Sequence, residues 1–163
     1  MRGPKALAAI LAFSSLAVVP TAAGAADVWL AELAVTLTAT KNVAAKQLRY
    51  VIGVKNNQDD TGRDIVVAFT PGMAMPPQSL SVVSVSVESG SAQCKTLTVG
   101  PVKMLVVKCS IALLQPVGTD PMGVRIVVVV SNPTNGPRSA SVQAMGIVPD
   151  VNMANNFASA QTP

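Results

Sequence analysis

Apolar and polar side chains alternate along most of this chain in short runs that are separated by turn residues. In the first such run, Leu33, Val35 and Leu37 share one parity while threonines occupy the other. A period of two places successive side chains on opposite faces, so each run predicts a half-buried β-strand. We predict such strands at Leu33–Thr40, Gln47–Lys55, Asp64–Thr70, Gln93–Val99, Lys103–Leu113, Ser139–Ile147 and, as a last short strand, Asn155–Gln161.

The run Gly123–Ser131 differs from these because, between its terminal Gly and Ser, every residue except Arg125 is β-branched and apolar. The turn residues of Asn132–Pro137 follow it directly. A β-branched run of this length between turn signals predicts a well-buried central strand. We expect the other strands to pair beside it or to pack across from it.

The segment Ser79–Glu88 contains a change of phase, because Leu80 and Val82 share one parity and Val83 and the valines after it share the other. A β-bulge at Val82–Val83 would produce this slip within one strand. Two short strands with a break between them would produce the same pattern. The sequence leaves both interpretations open.

Composition adds that the core is aliphatic, since half of the residues are hydrophobic but only 3% are aromatic. Branched aliphatic side chains fit the pleated surface of β layers. Short strands at a spacing of roughly 8–12 residues are typical of a sandwich or barrel. We therefore predict an all-β sandwich that forms a single domain over residues 27–163.

The N-terminus predicts an export signal over residues 1–26. A positive segment, Met1–Lys5, precedes the apolar stretch Ala6–Val19, and small residues follow Pro20. This three-part layout is that of a secretory signal peptide, with cleavage after Ala25 or Ala26. The apolar stretch is shorter than the roughly 20 residues that a spanning helix needs. We expect a mature chain without a transmembrane helix, located in the periplasm, at the cell surface or outside the cell.

Export also makes the two cysteines informative. Cys94 and Cys109 are the only cysteines in the chain, and an oxidising compartment favours their pairing. A metal or redox site would favour closer cysteine spacing or nearby histidines, and the chain contains no histidine. We predict a structural disulfide, with a redox-active pair as the alternative.

Charge and motifs exclude several functional classes. Without Arg2 and Lys5 of the predicted leader, ten bases stand against eight acids, and the bases do not cluster with aromatics. A nucleic-acid partner is therefore not expected. The chain has neither a nucleophile motif nor a glycine-rich phosphate loop, and its acids are scattered. We predict that it is not an enzyme and that it uses no cofactor.

Two clusters of residues are candidate sites. Asp150, Asn152 and Asn155 carry oxygens of the kind that bind Ca²⁺. A single carboxylate is few for this ion, so we favour a turn in which these side chains bond the backbone. The second candidate is an apolar patch on the outer face, which would form if the strands Lys103–Leu113 and Gly123–Ser131 were paired. Its members would be Met104, Val106, Val127 and Val129.

A patch of this kind would mark a surface for a partner or for self-association. The alternative is that the C-terminal tail or the region of Trp29 covers it.

The order of these elements resembles the domain of unknown function eleven family of bacterial and archaeal surface repeats. The resemblance rests on Tyr50–Asn57, on Gly62–Gly72 and on the closing motif Asp150-Val-Asn-Met-Ala-Asn-Asn156. It implies an immunoglobulin-like β-sandwich of about seven to nine strands, with Cys94 and Cys109 at the positions of the family's cysteine pair.

These observations predict an exported, non-enzymatic module that acts in binding, adhesion or structural assembly at the cell surface or in the periplasm. Its partner would be a protein or a component of the cell surface. The alternative function is a strand-exchanging subunit or assembly factor of a surface fibre, because the last predicted strand is short and open sheet edges accept strands.

Overall fold

The computed structural model describes residues 30–72, 80–101, 103–134 and 136–162. The predicted signal peptide and Trp29 lie outside the described residues. Within these ranges the chain forms nine strands and one 3₁₀ turn, Met153–Asn156. The strands are β1 Leu33–Asn42, β2 Gln47–Asn56, β3 Gly62–Pro71, β4 Val82–Ser89, β5 Gln93–Val99, β6 Met104–Leu114, β7 Val124–Ser131, β8 Arg138–Met145 and β9 Phe157–Thr162.

The strands form two antiparallel sheets that pack as a sandwich. The four-stranded sheet has the order β1-β2-β7-β4, and the five-stranded sheet has the order β5-β6-β3-β8-β9. The prediction of an all-β, immunoglobulin-like sandwich is therefore confirmed. As predicted, β7 is an interior strand, with β2 on one side and β4 on the other.

Seven of the strands follow the order of a constant-type immunoglobulin domain. In that domain one sheet has the strand order ABED and the other CFG. Here β1-β2-β7-β4 and β3-β8-β9 reproduce these two sheets. The hairpin β5–β6 is an addition to this frame, because β6 pairs with the otherwise free edge of β3. The insertion widens one sheet and leaves the other unchanged.

Two predicted strand boundaries need correction. β4 begins at Val82, and its register with β7 shifts between Val82 and Ser84, so a bulge within one strand accounts for the change of phase. The last strand begins at Phe157, because Asn152 caps the 3₁₀ turn by accepting a hydrogen bond from the Ala154 amide. Side chain to backbone bonds thus replace strand pairing in the segment before β9.

Inward-facing side chains of both sheets fill the core. Tyr50 and Phe69 pack at its centre with their ring centroids 4.9 Å apart. β7 contributes every second residue to this core, beginning with Val124. It is entered at Gly123, which has a φ of 60° and lies against the carbonyl oxygen of Val54. A side chain at Gly123 would collide with that oxygen, so glycine allows the chain to enter the central strand.

The disulfide between Cys94 and Cys109 is present and lies within the inserted hairpin. The two residues are directly opposite each other in the β5–β6 ladder, and their Cα atoms are 4.0 Å apart. Cys109 also faces Val67 of β3 and is fully buried. The covalent bond therefore joins the outermost strand of the five-stranded sheet to a strand that is anchored in the core.

Candidate binding surface

The outer face of the four-stranded sheet carries a group of three charged side chains that bond one another. Arg49 of β2 and Arg125 of β7 both bond Glu88 of β4, at 2.8 Å and 2.7 Å. Glu88 is placed for this by a second register shift, between Val87 and Ser89. The hydrogen bond from Arg125, with the charge of Arg49, holds the pKa of Glu88 below its usual value. We call these three residues the ion triad.

The ion triad explains why Val127 is only 4% exposed although it lies outside the core cluster. Arg49 is level with Val129 on β7, whereas Glu88 lies beside the level of Arg125. Because β7 runs between β2 and β4, the contact between Arg49 and Glu88 must cross β7 over Val127. The side chains of the triad therefore cover this valine.

The predicted apolar patch needs correction for this reason and for a second one. Met104 and Val106 belong to β6, which pairs with β3 and β5, whereas Val127 and Val129 belong to β7, which pairs with β2 and β4. The pairing on which the patch depended is wrong, and the four residues lie on different sheets. Alternation indicates the face of a strand, but it does not indicate the neighbouring strand.

Met104 and Val106 nevertheless belong to an apolar cluster of different composition. In the β5–β6 ladder Val99 is opposite Met104, and Leu97 is opposite Val106. All four side chains point to the outer face of the five-stranded sheet, and Val99 is 46% exposed. We call Leu97, Val99, Met104 and Val106 the hairpin patch. It lies on the insertion and not on the seven-stranded frame.

Two lysines adjoin the hairpin patch on the same face. Lys95 and Lys108 are directly opposite each other, one register step towards the disulfide. Like charges in this position destabilise a ladder. The neighbouring positions on this face are occupied by Gln93, Ser110, Ala68 and the hairpin patch, so no adjacent register position carries a carboxylate. The surface thus combines apolar side chains with two adjacent positive charges.

The facing arrangement of these two lysines was not predicted from the sequence, although the positions of the two cysteines contain a signal for it. If Cys94 and Cys109 are directly opposite in an antiparallel hairpin, Lys95 and Lys108 must be opposite as well. A disulfide alone does not require this arrangement, because two cysteines can also be bonded between sheets. The register therefore had to come from the structure.

A shallow depression of about 290 Å³ with a mixed polar and apolar lining lies on the other side of the lysine pair. Its polar lining residues are Asp64, Ser91, Gln93 and Ser110. Asp64 has a φ of 47°, which is uncommon for a residue other than glycine. The lining includes no pair of nucleophile and base, since the chain has no histidine and the carboxylate of Asp64 is the one acid present.

The closing motif forms a clasp between the β8–β9 connection and the start of β1. One carboxylate oxygen of Asp150 accepts hydrogen bonds from the Leu33 amide and from the side-chain amide of Asn156, both at 2.9 Å. The other oxygen accepts from the Asn152 amide at 2.8 Å. The bond from the Asn152 amide is of the kind that the turn interpretation requires, and the other two join Asp150 to β1 and to Asn156.

Asn155 adds a contact between the same two regions, because its side-chain amide donates to Glu32 at 3.2 Å. Within the described residues there is no group of three or more His, Cys, Asp or Glu side chains that is close enough to hold a metal ion. The calcium interpretation of this motif stays without support from its geometry.

Two further polar groups, the guanidinium of Arg138 and the hydroxyl of Tyr50, are buried in the sandwich. The guanidinium of Arg138 donates to the side chains of Asn132 and Thr134, both at the β7–β8 connection. Burial raises the pKa of the Tyr50 hydroxyl, and the nearby charge of Arg138 opposes this effect. These bonds hold the β7–β8 connection in place, and Arg138 and Asn132 are themselves buried.

The chain matches no protein-family model and no curated protein. Among solved structures it is similar to a cohesin module from a family 33 glycoside hydrolase of Clostridium perfringens. The TM-score is 0.54 at 10% identity, over 81% of this chain and 96% of that one. This likeness shows the fold alone.

Two further structures show weaker likeness. One is a family 3b carbohydrate-binding module from a scaffoldin of Bacteroides cellulosolvens, with a TM-score of 0.46 at 15% identity over 81% and 90% of the two chains. The other is the collagen-binding domain of a Staphylococcus aureus adhesin, with a TM-score of 0.41 at 8% identity over 80% and 95%.

Within the described residues, no helix is long and apolar enough to span a membrane.

Proposed function

We propose that this chain is an exported, non-enzymatic binding module that attaches to a protein or another component of the cell envelope through the outer face of the inserted hairpin. The observation that carries this proposal is the hairpin patch beside the lysine pair. Its residues are Leu97, Val99, Met104 and Val106, with Lys95 and Lys108 next to them. Apolar side chains grouped at the surface mark interaction sites more often than isolated ones do.

The position of the patch supports the same proposal. The seven-stranded frame contains both sheets of a constant-type sandwich, so the hairpin is not needed to complete either sheet. It is nevertheless fixed by a disulfide and by the ladder that β6 forms with β3 between Val107 and Leu114. An added element that is held rigidly and presents apolar groups to solvent suits recognition, because a preformed surface loses little entropy on binding.

The disulfide and the predicted leader over residues 1–26 support export, since disulfides persist in oxidising compartments. Membership of the domain of unknown function eleven family stays part of the proposal, on the closing motif Asp150–Asn156. The fold shared with the cohesin module supports the sandwich frame of such a module.

Retention of the labelled mature chain, residues 27–163, on envelope preparations of the producing cells tests this proposal. We expect Val99→Ser and Met104→Ser to reduce retention, because each removes apolar contact from the hairpin patch. The matched control is Val43→Ser, which alters a valine that is 59% exposed in the β1–β2 turn. Equal retention of all three variants and the unaltered chain would contradict the proposed surface.

A further inference from the structure

β5 is an open and regular sheet edge. Its pairing with β6 is unbroken from Gln93 to Val99, and within the described residues no strand pairs with its other side. An unpaired edge presents backbone donors and acceptors to any extended segment, and proteins usually protect such edges by bulges, charges or covering elements. On β5 the one such device is the charge of Lys95, which lies on the outer face.

The other edges of the sandwich differ from β5 in ways that hinder strand addition. β4 carries two register shifts, one at Val83 and one at Glu88, which interrupt its edge. β1 and β9 are edge strands of the two sheets and contact each other, so each limits access to the edge of the other. Among the described residues, β5 is therefore the edge that combines an unbroken ladder with no opposing edge strand in close contact.

The side chains of β5 define the chemistry that would fit beside it. Lys95, Leu97 and Val99 point to the outer face at successive alternate positions. Lys95 is exposed and faces Lys108, so the pair lacks an opposite charge at the neighbouring positions of its own sheet. A carboxylate next to Lys95 would offset this repulsion. Apolar side chains next to Leu97 and Val99 would extend the hairpin patch.

We propose that β5 accepts an extended segment of a protein partner as a sixth strand of this sheet. The segment carries an acidic residue level with Lys95 and apolar residues at the following alternate positions, level with Leu97 and Val99. Main-chain hydrogen bonds supply affinity in this mode, and the alternate side chains supply specificity. The inference rests on the proposed function and names the partner of the same surface.

Three synthetic peptides whose sequences favour an extended conformation serve as probes. The first has the pattern Thr-Glu-Thr-Val-Thr-Ile-Thr, the second has Lys in place of Glu, and the third is the first with alternate backbone amides methylated. Fluorescence anisotropy with the full mature chain gives each Kd. We expect the acidic peptide to bind and the basic peptide to bind with a Kd at least about tenfold higher. The methylated peptide should not bind.

Lys95→Glu separates recognition from stability. This variant should bind the basic peptide in preference to the acidic one, because the charge of the edge is reversed. Its Tm should rise, since a Glu at this position faces Lys108 and replaces repulsion by attraction. A residue with only a structural role would not combine higher stability with reversed peptide preference. The control is Lys55→Glu, at an exposed position of β2. This variant should leave the preference for the acidic over the basic peptide unchanged.

Three results would overturn strand addition. They are the absence of binding by the acidic peptide at millimolar concentration, equal binding of the methylated peptide, and equal binding of the acidic and basic peptides. Binding of dextran sulfate that depends on Lys95, together with failure of the acidic peptide, would assign the surface to a polyanion instead. If the peptides fail while Val99→Ser still reduces retention on envelopes, the strand partner is wrong and the proposed function stands. If retention is also unchanged, both are wrong.

Discussion

The outer faces of the two sheets have opposite characters. On the four-stranded sheet, threonines of β1 and serines of β4 flank the ion triad, which covers the one deeply buried outward valine, Val127. On the five-stranded sheet, the inserted hairpin presents the hairpin patch and two facing lysines. The first face pairs the three charges of the triad and covers Val127, and its exposed valine, Val83, lies at the bulge of the edge strand β4. The second leaves a charge pair unbalanced and leaves apolar side chains in contact with solvent.

This difference follows the architecture and supports the proposed location of the binding surface. The triad joins three strands of the seven-stranded frame, so its contacts stabilise a part of the fold that must be intact. The hairpin extends the frame at one edge, and its outer residues can vary without exposing the core. Binding surfaces are commonly carried in this way by elements that a rigid scaffold positions.

The largest expected effect comes from removing the bond that fixes the hairpin. Replacement of both Cys94 and Cys109 by Ala should lower the free energy of unfolding by about 3 kcal/mol, because it releases a loop with a sequence separation of 15. Urea unfolding of the variant and of the oxidised parent measures this change. Relative to the oxidised parent, amide hydrogen exchange in the variant should accelerate more in β5 than in β7, since β5 loses its covalent link to the core.

The parent treated with a reductant serves as the control for this variant, because it breaks the same bond without altering the volume of the side chains. Equal stability of the oxidised and reduced parent would show that the ladder alone holds the hairpin. Uniformly faster exchange in both sheets would show that the hairpin and the frame unfold as one unit, which would weaken the distinction between them.

The next effect tests the burial of Val127 against the exposure of Val99. Val127→Lys should destabilise the fold by about 2 kcal/mol, because the longer side chain displaces the triad and adds a cation beside two arginines. Val99→Lys makes the same chemical change on the other face and should cost less than about 0.5 kcal/mol. Urea unfolding of the two variants gives the difference. Equal losses would show that the two faces do not differ in the way described.

The sequence allowed the strands, their inward faces and the disulfide to be predicted, because these depend on local alternation and on the compartment. The change of phase at Val82–Val83 left a bulge and a break between two strands equally open, and the structure has the bulge. The second register shift, at Glu88, left no such signal, since the polar residues Ser89 and Gly90 follow it and carry no apolar phase. The alternation of apolar and polar residues reveals a register shift only where apolar residues occur both before and after it.

The candidate surface was predicted less well, because its composition depends on which strands are neighbours. Met104 and Val106 were found on the correct face, but Val127 and Val129 were assigned to the wrong sheet. Alternation contains no information about the order of strands in a sheet. The burial of Val127 depends in addition on Arg49 and Glu88, which come from distant parts of the chain and meet only through the topology.

The smallest effect concerns the ion triad itself. Arg125 and Arg49 hold the pKa of Glu88 below its unfolded-state value, so the triad stabilises the fold above that value, and the contribution disappears as the pH falls through the folded-state pKa. Glu88→Gln should therefore lower Tm slightly at neutral pH and have no effect in acid, where the two melting curves converge. High salt should also reduce the difference, because the three side chains are partly exposed. Asp59→Asn, in an exposed turn, is the matched control, and a difference in Tm that persisted in acid would show that Glu88 acts through packing over Val127 and not through its charge.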